Sequence, residues 1–120
     1  MRTNQERDGE QKKKQLLMNA LKRGKVDASG YSLNGYKEEA VCIEKKNNKW
    51  LVYDGERGRQ HNIEQYRDFE VAGYRLINRL SDSDEAEAVI MADYLVSILS
   101  YAASLHVAVQ KTKPKKTVRK

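Results

Sequence analysis

Two short apolar runs with a charged, amide-rich break between them constrain this chain more than any other feature. Ala40-Val41-Cys42-Ile43 and Trp50-Leu51-Val52-Tyr53 flank Lys45-Lys46-Asn47-Asn48-Lys49. β-Branched and aromatic residues on either side of a polar turn read as a β-hairpin. Both runs are apolar on both faces, so the hairpin needs cover on both sides. The rest of the chain has to supply that cover.

Asp54-Gly55-Glu56-Arg57-Gly58 forms a second turn, and its Gly-x-x-Gly spacing is read as a plain turn rather than a phosphate nest. A weaker third strand is expected around Arg59 to Tyr66, with His61, Ile63 and Gln65 on one face. Upstream, good helix formers run from about Glu10 to Arg23. Leu16, Leu17, Ala20 and Leu21 lie on one stripe, and Gly24 stands at the end. Residues 27–37 hold two Gly and two Ser and read as a loop. Downstream, Phe69, Ala72, Leu76, Ile77 and Leu80 fall at helical spacing and predict a helix over 69–80. Ser81 and Asp84 fit a capping box that opens a third helix. That helix is apolar from Ala86 to about Ala103, while the alternation over 105–110 suits either helix or a short strand. The expected fold class is α+β, a small antiparallel sheet (the hairpin plus a third strand) packed with about three helices. Residues 1–9 are expected as a flexible arm, 10–110 as one domain, and 111–120 as a basic disordered tail.

The net charge of +6 belongs to the ends. Residues 1–14 carry five basic and three acidic side chains, and 111–120 carry six basic and none acidic, which leaves −2 for residues 15–110. A basic sequence is therefore no argument for a nucleic-acid-binding domain here, although the tail would attract phosphates non-specifically. The strand and helix order of residues 10–80 is similar to double-stranded RNA-binding domains. The last helix opens Phe69-Glu70-Val71-Ala72, however, without the lysines that would meet phosphates. A lone cysteine and no apolar leader among the first fourteen residues fit a cytoplasmic protein.

Residues 88–109 are long enough to span a bilayer, but Asp93, Tyr94, Tyr101 and several serines favour a buried core helix. Such a helix needs cover on two sides: the sheet on one, and the first helix or a second subunit, a homodimer, on the other. The catalytic inventory is thin. His61 and His106 lie 45 positions apart with no metal-ligand spacing around either, and Cys42 sits mid-strand without a local base. No cofactor and no enzymatic activity is expected. Glu38 and Glu39 read as solvated strand-edge charges. Asp82, Asp84, Glu85 and Glu87 place four carboxylates in six positions, more than helix capping requires, and so form an acidic patch suited to a basic partner.

Lys49-Trp50-Leu51-Val52-Tyr53, then Glu56-Arg57-Gly58, a short polar strand, Phe69, Ala72 and the run to Arg79-Leu80 resemble bacterial immunity proteins. In these a KWxVY strand leads to an ERG turn, then to an aromatic entering a helix that ends in RL. They are cytoplasmic antidotes of polymorphic-toxin and contact-dependent growth inhibition systems. The resemblance spans residues 40–80, roughly a third of the chain. It implies an antitoxin that neutralises the C-terminal domain of a cognate toxin, expected to be a nuclease, by stoichiometric inhibition. The surface expected to meet that toxin combines Asp82, Asp84, Glu85 and Glu87 with Glu56 and Arg57 on the turn. The alternative is a small nucleic-acid-associated accessory protein that uses its basic tails.

Overall fold

The computed structural model describes the backbone of residues 4–112 and the side chains of residues 8–105. The chain forms α1 (Asn4–Arg23), a 3-10 turn at 28–30, β1 (Tyr31–Ser32), β2 (Ala40–Lys46), β3 (Lys49–Glu56), β4 (Arg59–Tyr66), α2 (Phe69–Leu80) and α3 (Asp84–Thr112). The fold class is α+β as the pattern required. The hairpin is β2–β3, closed at Asn47 and Asn48, both with positive φ, which Asn tolerates better than most residues. β4 adds antiparallel to β3 as a full eight-residue strand, although its apolar alternation is weak. Two-residue β1 pairs parallel to β2, so the sheet is mixed rather than purely antiparallel, in the order β1-β2-β3-β4.

Both faces of the hairpin are buried, for different reasons. On one face Ile43, Trp50 and Val52 join Leu17, Leu21, Phe69, Leu76 and Ile77 from the first two helices. Trp50 and Phe69 meet edge to face with ring centroids 4.9 Å apart, which fixes the start of α2 over the sheet. On the other face Ala40, Cys42, Leu51 and Tyr53 form a second, smaller core. Its cover is the loop 33–39, which crosses the sheet between parallel neighbours. Tyr36 stacks on Tyr53 at 6.5 Å, and the Glu39 amide donates to the Gly55 carbonyl at 2.8 Å. Gly55 is needed there, because a Cβ on it would lie 2.2 Å from the Lys37 carbonyl oxygen.

Several boundaries differ from the sequence reading. α1 begins at Asn4, so residues 4–9, expected as an arm, are helical: the polar stretch lacks apolar periodicity but holds no helix breaker except Gly9. Lys25, not Gly24, takes the left-handed conformation that ends α1. Gly24 instead lets Ile90 approach, since a Cβ would sit 2.5 Å from the Ile90 side chain. The cap of α3 is Ser83, whose Oγ accepts from the Ala86 amide, whereas the Ser81 hydroxyl donates back to the Ile77 carbonyl at the end of α2. Residues 105–110 continue α3 and form no strand. The expected disordered tail lies, from residue 113 on, outside the described residues. α3 packs against α1 and α2, on the side away from the sheet, rather than on the sheet itself. Arg23 grips Asp93 through two hydrogen bonds of 2.7 and 2.9 Å, and Ile90 and Tyr94 are buried on the same side of α3.

Candidate charged surface

α2 starts over Trp50 and returns along the sheet, so its last turn reaches the end of the molecule that carries the β3–β4 turn. There the Arg79 guanidinium, almost fully covered, donates to Asp54 Oδ1 at 3.0 Å, to Glu64 Oε1 at 3.0 Å and to the Asn62 carbonyl at 2.6 Å. Arg75, one turn earlier, donates to the same Glu64 oxygen at 2.6 Å and also holds Asn78 Oδ1. Asn78 passes the chain of contacts on to Glu87 Oε2 at 3.0 Å. A continuous polar ribbon therefore runs from the first turn of α3, across α2, to β3 and β4. Arg75 and then Arg79 hold the Glu64 carboxyl below the usual carboxylate range, and Glu64 in turn raises Arg75. Asp54, Glu64, Arg75 and Arg79, with Val41 and Ile63, line a shallow depression of about 570 Å³.

A β-bulge makes this ribbon possible. Between the Val52–Glu64 and Asp54–His61 pairs, Asn62 and Ile63 of β4 stand opposite Tyr53 alone. Asn62 has a positive φ, its carbonyl turns to Arg79, and its side-chain amide donates to Asp54 at 2.8 Å. The extra residue also breaks the alternation read from the sequence. Gln65 pairs with Leu51 on the second face, while His61 pairs with Asp54 on the face toward α2.

The β3–β4 turn is an anion nest after all, but an internal one. The amides of Arg57 and Gly58, both residues with positive φ, donate to the Glu38 carboxylate at 2.8 and 3.1 Å, and the Tyr36 hydroxyl adds a third bond. These bonds, Tyr36 first, hold Glu38 below the ordinary carboxylate range. Glu38 is therefore an exposed edge charge, as expected, that also serves as a structural acceptor for the turn. The Arg57 and Glu56 side chains are exposed on the same turn.

Of the residues the sequence singled out, Asp82, Asp84 and Glu85 are exposed at the corner between α2 and α3, without side-chain partners among the described residues. Glu87 is half-buried and bound to Asn78. The path of α2 puts this corner and the Glu56–Arg57 turn toward the same end of the sheet. Asp54, Glu64, Arg75 and Arg79 were missed. Arg75 and Arg79 stand four apart on an apolar helix, a legible hint, but their carboxylate partners depend on the bulge at Asn62.

The Cys42 thiol is buried, and desolvation raises its pKa, so it is held neutral against the Lys37 and Ala40 carbonyls. Among the described residues no group of three His, Cys, Asp or Glu is placed to hold a metal ion. The surface is a plate of charged side chains tied together by ion pairs, with the exposed acids at its edge. Compared with family models, with curated proteins and with solved structures, the chain matches none.

Proposed function

We propose that the protein is an immunity protein, a cytoplasmic antitoxin that binds a cognate bacterial nuclease toxin domain and neutralises it stoichiometrically. The observation that carries this reading is the corner of Asp82, Asp84 and Glu85: exposed carboxylates without side-chain partners among the described residues, set next to a charged ribbon fixed by its own ion pairs. A nuclease must hold a polyanion and so presents cations, and an acidic surface steers such a partner and speeds its association. The resemblance over residues 40–80 supports the class. Within it, the turn residues Arg57 and Gly58 hold the Glu38 carboxylate, and the helix-end Arg79 binds Asp54 of β3.

The test is to look for a secreted protein with a variable C-terminal domain encoded immediately upstream and to co-express that domain with the chain. The wild type is expected to protect cells and to form a 1:1 complex whose association slows with added salt. The discriminating variant reverses Asp82, Asp84 and Glu85 to Lys. It leaves Glu87 bonded to Asn78 and leaves the Ser83 cap in place. It should fold and fail to protect. Full protection by a folded variant would place the docking surface elsewhere.

A further inference from the structure

A groove runs between α1 and the segment 28–37 that leads into and out of β1. It encloses about 440 Å³, within the size range of small-molecule sites. On the helix side Lys14, Met18 and Lys22 stand four apart and share one face. Eight residues of helix set the two lysines about 12 Å apart along its axis. On the other side Lys37 is held with its Nζ 3.0 Å from the Ala28 carbonyl. Lys14 Nζ is held 3.0 Å from Asn34 Oδ1 at the far end. Between these cations Met18, Tyr31 and Leu33 make the floor apolar. Tyr31 is 6% exposed, and its buried hydroxyl has no hydrogen-bond partner among the described residues.

No carboxylate is among the described residues that line this groove, although residues 15–110 carry a net charge of −2. The two carboxylates next to it in the chain already have partners. Lys45 holds Glu10, and the Ser29 amide and hydroxyl hold Asp27, which also feels the Lys37 charge. We propose that the groove binds a small organic phosphate with a flat apolar body, of mononucleotide size. The phosphates lie between Lys22 and Lys37, and the body rests on Met18 and Leu33. Two features select this ligand. Lysine ammoniums act as point charges and suit a polyvalent phosphate, which needs no planar fork, whereas a single carboxylate would offset only one of them. The apolar floor gains nothing from a bare anion and is covered only by a ligand with a body. The Tyr31 hydroxyl can then donate to a ligand oxygen seated over it. None of these residues belongs to the acidic corner or the charged ribbon, so the inference stands apart from the toxin reading.

The experiment titrates the full chain with ADP and, separately, with inorganic phosphate, by calorimetry and by backbone amide NMR shifts. ADP should bind saturably at one site and at least about tenfold more tightly than phosphate. The shifts should concentrate on residues 11–22 and 28–37. Lys22→Gln with Lys37→Gln should weaken ADP binding at least about tenfold. Lys46→Gln with Lys49→Gln removes two exposed cations from the hairpin tip instead and should leave binding nearly unchanged. That pair of variants separates the groove from the general attraction of a basic chain for phosphates. Tyr31→Phe keeps the ring on the floor and should weaken ADP severalfold without lowering the melting temperature. Four results overturn the proposal. They are no saturable ADP binding, phosphate binding as tightly as ADP, equal losses in the two lysine variants, or unchanged affinity in Tyr31→Phe.

Discussion

Tyr94 offers a sharp test of the packing that holds α3 on the domain. Its side chain is fully buried, its ring meets Tyr74 edge to face at 5.3 Å, and its hydroxyl has no hydrogen-bond partner among the described residues. Desolvation pushes its pKa far up, so the group stays neutral. An unsatisfied buried hydroxyl costs about 1–3 kcal/mol. Tyr94→Phe removes that cost and leaves a space smaller than a methyl group, worth at most about 1 kcal/mol. The expected net is a stabilisation of about 1 kcal/mol, or roughly 3–6 °C in Tm for a chain of this size. Gly73 provides the control. An added Cβ would lie 2.7 Å from the Tyr94 hydroxyl, 2.9 Å from Cε2 and 3.0 Å from Cζ. Gly73→Ala should thus destabilise by about 2 kcal/mol, reversing the usual gain of about 1 kcal/mol for Ala in a helix. In the Tyr94→Phe background the ring carbons remain close, so rescue should be partial. Urea unfolding of the two single variants and the double variant, at constant m, closes the cycle. Loss of 1 kcal/mol or more in Tyr94→Phe would refute the reasoning, because it would mean that the hydroxyl is satisfied.

Gly55→Ala should cost at least about 2 kcal/mol and expose the 33–39 loop to proteolysis, because the intruding Cβ meets the backbone of Lys37 rather than a movable side-chain tip. Unchanged stability and protection would mean that the loop does not lie on the second sheet face. Glu38, Glu64 and Asp93 all have depressed pKa values, so the folded state binds fewer protons than the unfolded one. Their contribution is present above the ordinary carboxylate range and is lost as pH falls through the folded values. Glu38→Gln should therefore be less stable than wild type near neutral pH and converge with it in acid. A gap that persists in strong acid would show that the carboxylate charge is not the cause.

The hairpin was legible because composition and turn chemistry agree in Ala40 to Tyr53. α2 was legible because Phe69, Ala72, Leu76 and Ile77 are all buried at one helical spacing. The second face of the hairpin was correctly expected to need cover, but the loop that supplies it was not visible, since β1 has two residues and is held by pairing with β2. The position of α3 was misread for a related reason. Apolar periodicity marks which faces seek cover and not which neighbour provides it, and the ion pair that decides the matter joins residues seventy positions apart. At the candidate surface the exposed acids could be read from local density. The ribbon behind them could not, because the bulge at Asn62 sets which carboxylates Arg75 and Arg79 meet.

That same bulge bears on how the protein behaves in crowded solution. β4 is the outer strand of the sheet, and a regular outer strand offers a template for another chain to pair with. Here the ladder is interrupted at its middle, the carbonyl of Asn62 is turned inward to Arg79, and charged Arg59 and Glu64 stand to either side. An incoming strand finds no unbroken row of donors and acceptors to copy. The sheet can keep one edge open to solvent and still resist growing into an aggregate.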